Sequence, residues 1–517
     1  MLGWATIITI VALVASPVIV TVASILVPDT AMWSRQWETR LPGMIADTVT
    51  LLALVLTGTV ILGVGLAWLV SAFAFPGRRI VGWLLVTPLA MPGYVAGFVW
   101  LDTLSGPFGA RGVRSMWLGA ATFVMILYPY VYLFAKTAFA AQGADTRDAA
   151  RTLGLGSFGT MWHVAIPQAR PAIAAGAALV MMEVLTDIGT VRLFNIGTLA
   201  DGVLRIWFGT GDRGAAAEIA TMLVGLAILI IALERLMRRG ARYAHRPGDR
   251  PAALIRLGIT GRILALTTSI AVLMVAVGVP LIRLSLWALD ARRAGTTATV
   301  AGGIGHHLVS TVVVAGLATL TCISLGMVLA VVIRRRGAYG RVLGRIAALG
   351  YTVPGPVVAV GAVIVLAAVD RWGILPDGTI LVGSLLGLVF GLSVRYLAVG
   401  FHGVEAGLDR VSASTVASAR TLGAGPARVA LRVELPAARV AILAAAALLA
   451  IDLIKELPIT LLLRPFGFDT LSVWVWQASS ESLWEQAALP SLVMVVVGMV
   501  AVGALLAALE RGAEVVS

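Results

Sequence analysis

Twelve apolar runs of roughly twenty or more residues divide this 517-residue chain, and each is long enough to cross about 30 Å of hydrocarbon. They cover 4–27, 47–74, 80–104, 117–141, 171–191 and 216–237, then 259–287, 306–333, 344–369, 379–402, 438–461 and 486–509. Backbone polar groups in lipid need partners within their own segment, so each run is expected to be a helix. The expected fold is therefore an all-α integral membrane protein of twelve transmembrane helices. Composition agrees: with 59% hydrophobic and 13% charged residues, and a mean hydropathy of +0.96, the chain has too little charge to cover a soluble protein of this size. The first run lacks a basic segment before it and a cleavage site after it, so it is expected to stay as a membrane helix. Cys322 is the single cysteine, which excludes an internal disulfide and any cysteine metal motif, and it reads as a small buried hydrophobe.

The net charge of +13 could suggest nucleic acid, but its placement argues for membrane topology instead. With the N-terminus in the cytoplasm, 26 basic residues fall on the cytoplasmic side and 12 outside, with Lys455 inside a run. Both termini are then cytoplasmic, and no nucleic-acid partner is expected. The polar stretch from Arg238 to Pro251 separates a first half, 1–240, from a second half, 259–517, through a linker at 241–258. Six runs on each side of it make the halves parallel repeats.

One polar segment is duplicated. Asp148-Ala149-Ala150-Arg151-Thr152-Leu153-Gly154, nine residues, then Val164-Ala165-Ile166-Pro167 aligns without gaps, at an offset of 269, with Ala417-Ser418-Ala419-Arg420-Thr421-Leu422-Gly423, nine residues, then Val433-Glu434-Leu435-Pro436. Pro92-Gly93 likewise matches Pro354-Gly355, and Thr48 matches Ser310. Thr146 is expected to cap a short helix. Gly154 and Gly156, like Gly423 and Gly425, are expected to break it, and Pro167 and Pro436 to end a second one. Small Ala149 and Ala150 would let a partner approach closely. Two polar loops in an apolar chain, at about 145–167 and 409–436, suggest two docking points.

The spacing acid-Ala-Ala, three residues, Gly, nine residues, a β-branched residue, one residue, Leu-Pro resembles the signature of permease subunits of ABC importers. Here Asp148 replaces Glu, Ile166 replaces Leu, Ala417 replaces the acid and Ser418 replaces Ala. The stretches Pro88–Tyr94, Leu127–Tyr132, Trp207–Asp212, Lys455–Pro458 and Arg464–Thr470 are similar to fused permeases of ferric-iron importers, which carry two six-helix halves on one chain. The resemblance implies that the loops seat in grooves of two cytoplasmic ATPase subunits, the degenerate second loop less firmly. It implies also that an extracytoplasmic binding protein delivers the cargo and that the chain sits in the inner membrane. Related permeases carry thiamine, phosphonates or polyamines. Gly-x-x-x-x-Gly-Lys-Ser/Thr is absent from the chain, whose only lysines are Lys136 and Lys455. No catalytic residue, metal site or bound cofactor is therefore expected here, and ATP and Mg belong to the partner ATPases.

Glu183 and Asp187 share a face of the fifth run, and the offset of 269 places Asp452 and Glu456 in the eleventh, with Lys455 beside them. Charges in a membrane are costly, so these either line the translocation path or form a structural ion-pair network. An ion-gradient-driven carrier with a proton relay is a reading from another class, but it leaves the duplicated loop unexplained. Ferric iron favours oxygen ligands, with which the carboxylates and Tyr94, Tyr128 or Tyr130 are compatible, but tyrosines near membrane interfaces are more often anchors. His163 reads as a surface contact, and His306-His307 lacks acidic neighbours for a metal site.

Overall fold

A computed structural model describes residues 2–26, 30–209, 211–238, 253–295, 303–334, 337–373, 376 and 380–514. Most of the expected linker, with His245, lies outside them. The described chain is mostly helical, with one short parallel strand pairing, Phe73 with Ile255 and Ala74 with Arg256. Among the described residues nine helices are long and apolar enough to cross a membrane, or up to eleven if each of two bent pairs is one span.

The count differs from twelve because prolines interrupt three of the runs. The run at 80–104 is a pair, Arg78–Ala90 and Gly93–Pro107, bent by 92°. Met91, before Pro92, is forced into an extended conformation (φ −87°, ψ 117°). Val353, before Pro354, does the same (φ −99°, ψ 132°), so the run at 344–369 becomes Gly337–Ala347, Leu349–Thr352 and Gly355–Arg371. The last of these has 17 residues, about 26 Å, short of a full crossing alone. The eleventh run, 438–461, holds Arg439–Ile454, bent by 70° against the preceding Pro426–Ala437, and restarts at Pro458 as Pro458–Leu463.

The duplication is visible helix by helix. Leu41–Ala72 and Gly303–Arg334 both have 32 residues and are offset by 262. Met116–Ala140 and Leu385–Asp409 both have 25 and are offset by 269. Seven extra residues therefore enter the second half between the third and fourth runs. Each 25-residue helix starts at a serine cap: Leu118 N–H donates to Ser115 Oγ (3.4 Å) and Gly387 N–H to Ser384 Oγ (3.0 Å).

The chain forms two compact units, one of residues 40–198 and 225–290, the other of residues 1–39, 199–224 and 291–517. Neither unit is one half of the sequence. In the first, Leu41–Ala72 packs along Met116–Ala140. A Cβ on Gly63 would lie 2.9 Å from Val131 Cβ, so the close crossing needs glycine there, whereas Gly65 faces open space. Asp102 forms an ion pair with Arg283, which also lies over the ring of Trp287, itself stacked on Phe98 at 5.9 Å. The second half's first helix is thus held by the first half's third run.

In the other unit Gly303–Arg334 packs along Leu385–Asp409, and Leu2–Ala23 packs on Gly355–Arg371. Pro17 inside Leu2–Ala23 cannot bond the Leu13 carbonyl, and Ser16 Oγ donates to it instead (2.8 Å). A Cβ on Gly361 would lie 2.6 Å from the Pro17 carbonyl carbon. Tyr94 and Tyr128 are buried inside the helix packing, so they are core residues and not interfacial anchors. Arg395 lies near the middle of Leu385–Asp409 and is 7% exposed, so it does not belong to a cytoplasmic loop.

Candidate functional site

Both duplicated loops have one backbone. Helices Ala144–Thr152 and Ala413–Thr421 end in glycines with positive φ, +81° at Gly154 and +82° at Gly423. Leu155 N–H donates to the Ala150 carbonyl (3.0 Å) and Ala424 N–H to the Ala419 carbonyl (3.1 Å), the bond that closes a helix over a left-handed residue. A Cβ at either glycine would meet nothing within 4 Å. Within this chain, therefore, glycine is required by backbone conformation and not by crowding. Gly156 and Gly425 have ordinary extended backbones. Thr146 falls inside Ala144–Thr152, so it does not cap it.

Pro436 stands one residue before the end of its short helix at Ala437, as expected, whereas Pro167 does not end a helix but begins Ile166–Thr186. Both prolines follow π-helical turns, Met161–Ala165 and Ala430–Glu434; the first carries its loop straight into Ile166–Thr186, and the second leads into Leu435–Ala437 before the 70° bend. Ile166 N–H reaches back to the Met161 carbonyl, and Leu435 N–H to Ala430. A proline ring clashes with the carbonyl four residues earlier in an α-helix, and the wider turn relieves this. Sequence periodicity does not signal the turn, although a proline early in a helix that has no break before it could have. Gln142 holds the first loop from the side, its Nε2 donating to the Ala165 carbonyl (2.9 Å).

Asp148, Ala149, Pro167, Ala417, Ser418 and Pro436 are exposed, as are both glycines, and Ala419 is half-buried. Ala150 is buried against its own chain and cannot receive a partner. The loops also show large apolar side chains to solvent: Leu153, Phe158 and Trp162 in the first, Leu422 and Leu431 in the second. His163 is exposed, its ring 3.0 Å from the Gly159 carbonyl.

Asp187 and Glu456 occupy helix breaks. Asp187 follows helix Ile166–Thr186 and caps Gly189–Leu193, accepting from Thr190 N–H (2.6 Å) and Thr190 Oγ (2.8 Å). Glu456 caps Pro458–Leu463, accepting from Ile459 N–H (2.8 Å), Thr460 N–H (3.0 Å) and Thr460 Oγ (2.7 Å). Glutamate, one carbon longer, reaches one residue further along the chain. Open helix starts in a membrane have no water to satisfy them, so a carboxylate there meets a backbone need. The Asp187 carboxylate also faces the start of Gly93–Val113: a Cβ on Gly93 would lie 2.9 Å from Asp187 Oδ2.

Lys455 pairs with Asp452 at 3.1 Å, and Arg395 is close enough to Glu456 to interact electrostatically. Glu183 is half-buried one turn before Asp187. Sequence reasoning counted Arg395, inside the run at 379–402, among the cytoplasmic charges, and missed the Asp102–Arg283 pair, whose partners are 181 residues apart. His307 is buried, its Nδ1 3.0 Å from the Asp469 carbonyl and its ring stacked on Trp474. Among the described residues no group of three or more His, Cys, Asp or Glu could hold a metal ion.

Apolar helices of membrane-spanning length, repeated in each half together with a duplicated, solvent-facing loop, define a membrane permease built by fusion. Two stretches, residues 59–243 and 322–515, match the family described as the inner membrane component of binding-protein-dependent transport systems, and each contains one of the loops. The chain belongs to that family. It is a fused two-domain permease of the ABC importer class. It is 24% identical over 464 residues to the Fe(3+)-transport system permease protein FbpB 2 of Haemophilus influenzae, covering 88% of both chains. It is 27% identical over 222 residues to the sulfate transport system permease protein CysT of Escherichia coli, covering 38% of this chain and 78% of the relative. It is 32% identical over 181 residues to the probable molybdenum ABC transporter permease protein HVO_B0370 of Haloferax volcanii, covering 33% and 66%.

Proposed function

We propose that the chain moves ferric iron inward through an inner membrane, as the complete permease of an importer. The observation that carries this reading is the extent of similarity. The Fe(3+) permease aligns with 88% of the chain, both halves included, whereas the sulfate and molybdenum permeases align with 38% and 33% of it. The helix start at Gly93 supports it. Helix starts attract anions, and here the chain's own Asp187 carboxylate already faces that position, which suits a cationic cargo better than an oxyanion.

In this reading the N- and C-termini are cytoplasmic and twelve crossings are made, the ninth as a broken helix around Pro354. With Arg395 and Arg283 assigned to helices, 25 basic residues remain on the cytoplasmic side against 11 outside, which supports the orientation. Two ATPase subunits dock on the loops around Gly154 and Gly423, and an extracytoplasmic binding protein delivers iron. ATP binding draws the ATPases together and moves the permease halves from inward- to outward-facing. Glu183, Asp187, Asp452, Lys455 and Glu456 stand where the helices after the loops break, so their caps and ion pair also shape the path.

Uptake of radiolabelled ferric iron, sulfate, molybdate, thiamine and phosphonate by cells with and without the gene tests the cargo. Iron uptake that depends on the chain is expected. Dependence of sulfate or molybdate uptake alone would overturn the assignment.

A further inference from the structure

The two loops share a backbone but show different chemistry to solvent. Leu153 and Leu422 correspond and are 80% and 87% exposed. Beyond them the first loop presents Phe158 and Trp162, 71% and 53% exposed, packed edge-to-face with ring centres 6.1 Å apart. The offset of 269 puts Ala427 and Leu431 at those places in the second loop. It also puts Arg428 opposite Gly159 and Arg432 opposite His163. Both arginines are exposed, as is Arg420. Between residues 145 and 167 two aspartates and two arginines cancel. Between 414 and 436 three arginines outweigh Glu434, and Glu434 is buried.

Resting on the ATPase-docking reading above, we propose that the two loops hold the ATPase pair by different forces. The first loop is an apolar anchor, burying Leu153, Phe158 and Trp162. The second is an electrostatic contact, Arg428 and Arg432 meeting an acidic rim. Buried aromatic anchors carry a large share of interface energy and are insensitive to salt, whereas exposed charges act mainly by screened attraction. For two copies of one ATPase the proposal requires a groove with both an apolar floor and an acidic edge. Each loop uses one of the two.

The test is the affinity of the full-length chain in lipid nanodiscs for the purified ATPase that accompanies it from native membranes, at about 0.05 M and about 0.5 M salt. The Phe158→Ala/Trp162→Ala variant should weaken binding about tenfold or more at both salt levels. The Arg428→Gln/Arg432→Gln variant should weaken it several-fold at low salt, match the unchanged chain at high salt, and flatten the salt dependence. All four side chains are exposed, and a single size-exclusion peak for each variant checks that folding is intact. Equal losses at both salt levels for the arginine variant, salt-dependent loss for the aromatic variant, or no loss for either would overturn the proposal. If the unchanged chain binds no ATPase at either salt level, the docking reading itself fails.

Discussion

Gly154 and Gly423 are required by φ and not by space within the chain. Asparagine tolerates the left-handed region better than alanine, although it is larger. Gly154→Asn should therefore keep substrate-stimulated ATPase activity in the reconstituted complex, while Gly154→Ala, straining the turn by about 1 kcal/mol, should lower it. The reverse order would mean that a partner's closeness, not the turn, demands glycine. Glu456 receives three donors on two oxygens. Glu456→Gln replaces one acceptor with a donor and leaves buried groups unpaired, at about 1–3 kcal/mol each. Membrane abundance, followed by immunoblot, should fall. Adding Lys455→Met should not restore it, because that change takes away the 3.1 Å ion-pair partner of Asp452. Normal abundance with lost transport would place Glu456 on the path instead of in the scaffold.

At the scale of helices, the recurring device is the controlled break. Pro92 and Pro354 split one helix in each half, Asp187 and Glu456 cap the restart of another, and paired π turns pass the loops into the membrane. The Asp102–Arg283 pair acts between helices, tying the second half's first helix to Gly93–Val113. Both side chains are part-exposed, 24% and 35%, so solvent screens them. A double-mutant cycle with Asp102→Asn and Arg283→Met, read by thermal unfolding in detergent, should give a coupling of about 1 kcal/mol or less. A coupling of zero would leave the neighbouring Phe98–Trp287 stack as what holds the helix.

The whole molecule is interleaved. One compact unit needs residues 225–290 and the other needs residues 1–39 and 199–224, so neither half of the sequence contains a complete unit. Fragments 1–240 and 241–517 expressed alone should be degraded, and co-expression should restore both to the membrane. Stable accumulation of either fragment alone would contradict the interleaving. Reporter fusions after Arg238 and after Gly423 should report cytoplasm, and one after Gly211 the outside. Gly154 and Gly423 on opposite faces would end the model of two equivalent docking loops.

By itself the sequence determined the helical membrane class, the repeat and the two loops. Hydrocarbon permits few backbone solutions, and a gap-free offset of 269 is visible in one dimension. Eleven of the twelve apolar runs correspond to single or bent membrane helices among the described residues. The ninth run did not survive as one helix, because a hydropathy window averages across a proline whose effect is on the preceding residue's backbone. Only the tertiary structure decided what the charges do. Asp187 and Glu456 bond to donors three or four residues ahead, which a capping pattern could have suggested. Arg283 finds Asp102 from 181 residues away, and Arg395 comes close to Glu456, 61 residues further on in the sequence. A partner so far off in sequence is set by how helices pack, and apolar periodicity carries no record of which helix that will be.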